Sequence, residues 1–228
     1  MKKYLLILSV VLVATVSFNK KGIESSTSVN TNKIIDVDGN GYDTVTIGTQ
    51  TWMVQNLQTT HYRNGNPIPN VSERPDWNNL STGAYCDYNN DAANAKTNGH
   101  LYNWYAVNNP AGLCPTGWHI ATDAEWAVLI NYLGRDSVAG GVMKALGTTI
   151  WKAPNSWATN SSGFTALPSG YRHADGAFYK IGENGYFWSS TETFSYSACG
   201  RYLSFNTPGI DRFVANKQSG FSCRCIKD

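Results

Sequence analysis

Charged side chains are scarce in this chain of 228 residues, in which Lys, Arg, Asp and Glu together make up 15%. The 18 Lys and Arg nearly balance the 16 Asp and Glu, and no long basic run occurs. A protein that binds nucleic acid through a basic face needs such an excess, because phosphate contacts supply much of its affinity. We therefore expect no nucleic-acid partner. Hydrophobic residues make up 42%, which is enough to build a core.

Motifs of common enzyme and metal sites are also missing. The chain has no G-x-S-x-G elbow, no P-loop and no H-E-x-x-H helix. Its four histidines are scattered, and the spacing of Cys223 and Cys225 is not the usual C-x2-4-C of zinc sites. We accordingly predict a non-catalytic protein with no cofactor and no metal.

Long apolar runs are absent except at the N-terminus, where Met1-Lys2-Lys3 precedes the apolar stretch Tyr4–Phe18. As a helix this stretch would rise only about 22 Å, and a bilayer span needs about 20 residues. A basic start and a short apolar run are typical of a signal peptide, which we predict over residues 1–19, with an uncleaved anchor as the alternative. We expect a secreted or cell-surface protein without a membrane span after cleavage.

Residues 20–32 are rich in Ser, Thr and Asn and hold few large apolar side chains. They are predicted to form a flexible spacer. Residues 33–228 show no further break in composition and no repeat, so we predict one domain there.

Turn residues indicate a hairpin at the start of this domain. Apolar and polar residues alternate over Ile34–Ile47 on both sides of Asp38-Gly39 and Asn40-Gly41, a strong short-range hairpin signal. The acidic residues also match the first half of an EF-hand calcium loop. The twelfth position, however, is Ile47 instead of a bidentate Glu, so we favour the plain hairpin.

The middle of the chain is predicted to be helical. Thr122-Asp123-Ala124-Glu125 is a capping box, and an apolar stripe follows until Gly134. A second helix is predicted to begin at Asp136 or Ser137, although it contains Gly140-Gly141. After a polar loop, strands are predicted at Phe164–Leu167, Ala177–Ile181, Tyr186–Ser190, Arg201–Phe205, Arg212–Ala215 and Phe221–Ile226. The expected class is α+β, with mostly antiparallel sheets, two helices and long loops.

Five cysteines in an exported chain indicate disulfides, with one cysteine left over. Several pairings are open. We predict Cys114–Cys225, which would tie the segment before the capped helix to the last strand. Cys223 and Cys225 point to the same face of a strand, which makes Cys199 a reasonable partner for Cys223 and leaves Cys86 free.

Several ordered motifs resemble one known family. They are Asp38-Gly39-Asn40, Ile47-Gly48-Thr49-Gln50-Thr51-Trp52-Met53, Asn56-Leu57, Gly83-Ala84-Tyr85-Cys86, Leu101-Tyr102-Asn103-Trp104-Tyr105-Ala106, Cys114-Pro115-Thr116-Gly117-Trp118-His119, Asp123-Ala124-Glu125-Trp126, Trp188-Ser189-Ser190-Thr191-Glu192, Gly220-Phe221-Ser222 and Arg224-Cys225. Together they resemble the Fibrobacter succinogenes major paralogous domain family, from about Ile35 to Asp228. The family's biochemical role is largely undefined, so the resemblance implies fold and location only.

The resemblance implies a C-type lectin-like fold. Lectins of that kind hold calcium and sugar with Glu-Pro-Asn or Gln-Pro-Asp and a Trp-Asn-Asp strand motif. Neither occurs here, and Trp77-Asn78-Asn79 is a partial echo in another region. Calcium-dependent sugar binding at the usual place is therefore not expected.

A second similarity tests an enzyme hypothesis. Thr122–Trp126 and Gly220-Phe221 also look like segments of the formylglycine-generating, sulfatase-modifying enzymes, which use two cysteines five positions apart. Cys199 matches the first of these, but the second position is Ser204. The redox pair is broken, so an enzyme of this kind stays an alternative.

Aromatic residues give the one positive functional signal, since 8 Trp and 13 Tyr accompany few charges. Such a mixture suits stacking on, and hydrogen bonding to, neutral polar ligands. Core packing is expected for Trp52, Trp104, Trp118 and Trp126. Ligand contacts are predicted for residues in or beside the long loops, namely Trp151, Trp157, Tyr171, Arg172 and Glu192. We predict an envelope binding module whose partner is a glycan or a protein ligand, with a purely structural or adhesive protein as the variant.

Overall fold

The computed structural model describes residues 33–228. The predicted signal peptide and spacer, residues 1–19 and 20–32, lie outside the described residues. Within the described part, no helix is both long enough and apolar enough to cross a bilayer.

The described residues contain five α-helices, one short 3-10 helix (Tyr88–Asn90) and thirteen strands. The helices are α1 (Arg74–Asn78), α2 (Ala92–Asn98), α3 (Trp104–Val107), α4 (Asp123–Tyr132) and α5 (Asp136–Met143). The strands are β1 (Ile34–Ile35), β2 (Gly41–Tyr42), β3 (Thr44–Ile47), β4 (Gln50–Met53), β5 (Tyr85–Cys86), β6 (Leu101–Tyr102), β7 (Trp118–Ile120), β8 (Ser169–Arg172), β9 (Phe178–Ile181), β10 (Asn184–Phe194), β11 (Ser197–Ser204), β12 (Ile210–Asn216) and β13 (Cys225–Lys227).

The strands form four sheets. Two are two-stranded, β1-β2 and β5-β6, one is four-stranded in the order β3-β4-β13-β7, and the largest is five-stranded in the order β12-β11-β10-β8-β9. Pairing is antiparallel throughout except between β8 and β10. The α+β class with mostly antiparallel sheets is thus confirmed.

The expectation of two helices is wrong, because α1, α2 and α3 also form. These helices have 5, 7 and 4 residues, too few to show an apolar stripe of helical period. Local caps begin two of them: the Asp91 carboxylate accepts from Ala93 N, and the Asn103 side chain accepts from Ala106 N. The predicted strand at Phe164–Leu167 is reduced to a single bridge at Ala166.

The hairpin at the start of the domain is confirmed, since β1 and β2 pair with Ile34 opposite Tyr42. Asp36 closes its turn by accepting hydrogen bonds from the Asp38 and Asn40 amides. Its other oxygen accepts from the Tyr42 hydroxyl at 2.7 Å. This carboxylate is therefore occupied in holding the turn.

The two predicted central helices are confirmed. Helix α4 begins at the capping box of Thr122 and Glu125. Helix α5 requires glycine at position 140, because a Cβ there would collide with the carbonyl oxygen of Gly209. The missing side chain lets the segment before β12 pack directly on the helix, and Gly141 N donates to Pro208 O at 2.7 Å.

The five-stranded sheet has one face against helices α4 and α5. Phe187, Leu203 and Ile210 belong to the same buried cluster as Trp126 and Met143. The aromatic residues expected in the core are all buried, namely Trp52, Trp104, Trp118 and Trp126. The sheet is therefore a wall of this core on one side. Its opposite face is buried at Trp188 and Ala198 in a second cluster, and the candidate site lies beyond them on that face.

The disulfide Cys114–Cys225 is present, with Cα atoms 6.0 Å apart, as predicted. It ties the segment before β7 to β13, and these two strands also pair directly. Cys86 is free and buried, again as predicted.

The predicted Cys199–Cys223 bridge is wrong, because both thiols are free and buried. Strand β10 separates them: β11 pairs with one of its edges, while Ser222 bridges to Phe187 along the other. Two strand spacings amount to about 9.6 Å, beyond the ~7 Å that a disulfide allows between Cα atoms.

Three fully buried cations, Lys144, Arg172 and Arg224, connect segments distant in sequence. Their hydrogen bonds go to backbone carbonyls of the described residues, and Arg224 adds one to the side chain of Asn56. The carbonyls are those of Ser156, Ser204 and Thr207 for Lys144, of Val71, Ser72 and Gly176 for Arg172, and of Met53, Phe164 and Thr165 for Arg224. Carbonyls in loops lack ladder partners, and a cation with several donors satisfies them. Burial lowers the pKa of Lys144 to about 8 and that of Arg224 to about 9.

His119 links β7 to the C-terminus and to α4. Its Nδ1 lies 2.6 Å from an Asp228 carboxylate oxygen, and its Nε2 lies 2.9 Å from Glu125 Oε1. Burial alone would lower the pKa of His119, but the hydrogen bonds to Asp228 and Glu125 outweigh burial and raise this pKa above its ordinary value of 6.5.

Replacing the imidazole is therefore expected to have a pH-dependent effect. Because the pKa of His119 is raised in the folded protein, the protonated ring stabilises the fold. This stabilisation is fully present below the pKa of the unfolded state, near 6.5, and it disappears as pH rises through the pKa of the folded state. Urea unfolding of wild type and His119→Gln from pH 5.5 to 9 should show a difference in unfolding free energy that shrinks as pH rises. An unchanging difference would contradict this assignment. His173→Gln, at a half-exposed ring beside Asp175, is the control.

Candidate binding face

Five aromatic residues lie side by side on the open face of the large sheet, one from each strand. In the order of the sheet from β9 to β12 they are Tyr179, Tyr171, Tyr186, Tyr202 and Phe213, and we call them the aromatic row. Two pairs are direct register partners: Tyr171 is opposite Tyr179, and Tyr186 is opposite Tyr202. The row therefore crosses the strands instead of following one of them.

The rings of the aromatic row contact one another without a break. Successive centroids from Tyr179 to Phe213 are 5.5, 4.8, 5.4 and 6.1 Å apart. These separations fall within the favourable range for aromatic pairs. Such contacts restrict each ring, so the surface is formed before any ligand arrives.

Part of the same face is covered, which defines where the open part begins. Residues 220–222 run in the plane of the sheet beside β10 and β8: Trp188 N donates to Ser222 O, and Arg172 N donates to Gly220 O. The face is covered at Trp188, whose Nε1 donates to the Tyr102 carbonyl and which belongs to one buried cluster with Trp104 and Phe221. Tyr186 stacks on Phe221 at 5.5 Å, so the aromatic row starts where the cover ends. Tyr179, at the far end, is 43% exposed.

A depression of about 350 Å³ lies between the aromatic row and residues 216–221. Its aromatic lining includes Tyr171, Tyr186 and Phe213, and its polar lining comes from three residues of different chemistry, His173, Asn216 and Ser219. We call this depression the cup. Its volume is at the small end of the range for ligand sites, about 300 to 1,000 Å³.

Tyrosine hydroxyls make the aromatic row polar but uncharged. Burial raises the pKa of Tyr171 and raises that of Tyr186 to about 12, while burial and the nearby Asp211 raise that of Tyr202. All three phenols are therefore neutral at physiological pH and can donate or accept a hydrogen bond. Lys180, next to the row, is paired with Glu183 at 2.9 Å.

Two of the predicted ligand-contacting residues, Trp151 and Arg172, lie inside the protein. Trp151 is 1% exposed, and its indole Nε1 donates to the carbonyl of Ala166. Arg172 is fully buried, with its guanidinium 4.4 Å from the ring centroid of Trp77 and 4.8 Å from that of Phe178. Both side chains satisfy loop backbone, so neither reaches a surface ligand.

The other three predicted residues do not converge. Trp157 is 64% exposed and lies beside helix α5 at Gly141. Glu192 accepts from Lys217 Nζ at 2.6 Å, where the ammonium also lies over the ring of Trp104. Tyr171 alone belongs to the aromatic row, and its neighbours in the row were missed by the sequence analysis. The available signal was an aromatic residue at an outward position of each strand, but the register that aligns them was not available.

Cys199 occupies a different environment on the helix-facing side of β11. Its thiol is buried 3.1 Å from the Ser189 hydroxyl. Positions 199 and 204 are an odd number of residues apart on one regular strand, so their side chains point to opposite faces. Two reactive groups at these positions would not meet.

Comparison with known proteins gives one finding. The family model of the Fibrobacter succinogenes major domain matches residues 45–227. Neither a curated protein nor a solved structure matches the chain.

Proposed function

The chain belongs to the Fibrobacter succinogenes major domain family, and we propose that it is an exported, non-catalytic module that binds a glycan or peptide ligand outside the cell through its aromatic row. The row itself carries this proposal: rings from all five strands form one partly exposed surface. Clustered aromatic side chains with hydroxyl groups suit ligands that need both stacking and hydrogen bonds.

Export is supported by the disulfide and by the predicted signal peptide. Disulfides persist in oxidising compartments and are rare in the cytosol. Cys114–Cys225 is buried, so it serves the structure rather than redox exchange. We retain a C-type lectin-like relation as part of the proposal, supported by this link between the segment before the capped helix and the last strand.

An oxidase related to the formylglycine-generating enzymes is the alternative. A free thiol at Cys199 favours it. Complete burial of this thiol and the opposite facing of position 204 count against a two-cysteine mechanism. A purely structural or adhesive envelope protein is the other alternative, and it needs no defined ligand site.

Glycan and peptide arrays probed with the mature chain test the proposal. Wild type is expected to retain a ligand, and Tyr179→Ala with Tyr202→Ala is expected to bind at least tenfold more weakly, because each ring contributes on the order of 1 kcal/mol. Trp157→Ala removes an exposed aromatic residue outside the row and should leave binding unchanged. No retained ligand on either array, or a loss in Trp157→Ala alone, would contradict the proposal.

A further inference from the structure

The geometry of the aromatic row points to one class of ligand, and we propose that it binds a linear, uncharged polysaccharide chain lying across the strands along the four tyrosines, with one sugar unit at the cup. This inference rests on the proposed binding function and specifies its ligand.

Length is the first argument. The four tyrosines of the aromatic row come from four adjacent strands and span three strand spacings. At about 4.8 Å per spacing this line extends roughly 14 Å. Phe213 lies beside the line, because its ring centroid is 5.5 Å from that of Tyr186 and 6.1 Å from that of Tyr202. A compact ligand would occupy the cup only, whereas several linked pyranose units would cover the row.

The chemistry of the side chains is the second argument. Four of the five members are tyrosines, which offer an apolar ring and a phenolic hydroxyl. A pyranose has the matching character, with C–H groups on its faces and hydroxyls around its rim. Beside Tyr171, Tyr186 and Phe213, the cup adds an imidazole, an amide and a hydroxyl from His173, Asn216 and Ser219. These hydrogen-bonding groups suit the hydroxyls of the sugar unit that lies at the cup.

Charge is the third argument, and it disfavours acidic ligands. Asp175, beside His173, is paired with Arg74 at 3.0 Å, and Lys180 is paired with Glu183 at 2.9 Å. Asp211 lies beside Tyr202. An acidic glycan would meet the Asp211 carboxylate and no free cation among these groups, whereas an uncharged chain would meet no penalty.

Peptides fit this surface less well. An extended peptide binds a sheet by adding a strand at its edge, where main-chain groups are unpaired. The aromatic row lies on the face of the sheet, and its members project side chains from strands whose backbones pair with neighbours. The contact is therefore side chain to ligand, without main-chain pairing.

Titration calorimetry with a chain-length series tests this inference. The probes are β-1,4-linked oligosaccharides of glucose, xylose and mannose, from monosaccharide to hexasaccharide, and the protein is the mature chain. Affinity for one of the series should rise with each added unit until the row is covered, and then level off. Tyr179→Ala should weaken the longer oligosaccharides about tenfold and leave the shortest unchanged, while Asn216→Ala should weaken all lengths. Affinity should not change between low and high NaCl.

The outcomes separate this inference from the proposed function. Three results would overturn the inference of a linear, uncharged ligand and leave the proposed binding at the row intact. They are equal affinity for monosaccharide and hexasaccharide, an equal effect of Tyr179→Ala at every length, and a steep salt dependence of the affinity. Array binding of a peptide alone would do the same. Absence of any ligand from arrays and calorimetry would overturn both. Trp157→Ala, with an exposed ring elsewhere, is the matched control, and light scattering excludes self-association through the row.

Discussion

Replacing Arg224 by methionine is expected to lower the free energy of unfolding by about 3 to 5 kcal/mol, or to prevent folding. The guanidinium is fully buried and donates to the Asn56 side chain at 2.7 Å. It also donates to the carbonyls of Met53, Phe164 and Thr165. Methionine fills much of the volume but leaves these acceptors unpaired, and each costs roughly 1 to 3 kcal/mol.

Part of this loss is offset, because wild type buries a cation whose partners carry only partial charges. The lowered pKa of Arg224, about 9, reflects this unfavourable desolvation. The stacking of the guanidinium 4.6 Å from the Phe164 ring centroid compensates in turn. We therefore expect a loss of unfolding free energy near the lower end of the total cost of four unpaired acceptors.

Urea unfolding at neutral pH measures the effect. Arg224→Lys should recover little, because an ammonium cannot reach acceptors arranged for a planar fork. Arg74→Met is the control, since Arg74 is exposed and pairs with Asp175 at the surface, a contact worth at most about 1 kcal/mol. If the unfolding free energy of Arg224→Met lies within about 1 kcal/mol of the wild-type value, the buried network does not hold these segments together.

Removing the disulfide by changing both Cys114 and Cys225 to alanine is expected to cost about 4 to 5 kcal/mol. The bridge closes a separation of 111 positions, and the chain-entropy model gives this magnitude for loops of about 100 residues. The denatured chain gains freedom that wild type lacks, so the effect should appear as a lower midpoint of urea unfolding. Cys223→Ala is the matched control, because it removes a buried, unpaired thiol two positions away from Cys225.

Peptide mapping without reduction checks the same connectivity. A fragment joining Cys114 and Cys225 is expected, and Cys86, Cys199 and Cys223 should react with thiol reagents only after unfolding, because all three are buried. A linked Cys199–Cys223 fragment, or rapid labelling of Cys199 in the native protein, would refute the thiol assignment.

Local signals in the sequence were sufficient for the parts of the fold that depend on a few neighbouring residues. The hairpin around Asp38-Gly39 and the capping box at Thr122 and Glu125 formed as predicted, because their hydrogen bonds join residues close in sequence. Helices α1 to α3 were missed, since four to seven residues show no usable period. Strand β8 was also missed: Ser169–Arg172 has little β-branched character.

The candidate site depends on relations that no short segment contains. The aromatic row needs the register of five strands, including the parallel pair of β8 with β10 at Gly170 and Gly185. The sequence places Trp151 and Arg172 in or beside long loops, where surface exposure is expected. Both side chains are buried, because each donates a hydrogen bond to a backbone carbonyl distant in sequence. Of the five residues predicted to contact a ligand, Tyr171 alone therefore belongs to the aromatic row.

The position of strand β13 sets the time at which the four-stranded sheet can be completed. The strand lies between β4 and β7, with Ile226 opposite both Trp52 and His119. Because a ribosome makes the chain from its N-terminus onward, the hairpin of β3 and β4 has no neighbour until residues 225–227 have been made. A chain interrupted before residue 225 would leave that hairpin with an open edge and Cys114 without its partner.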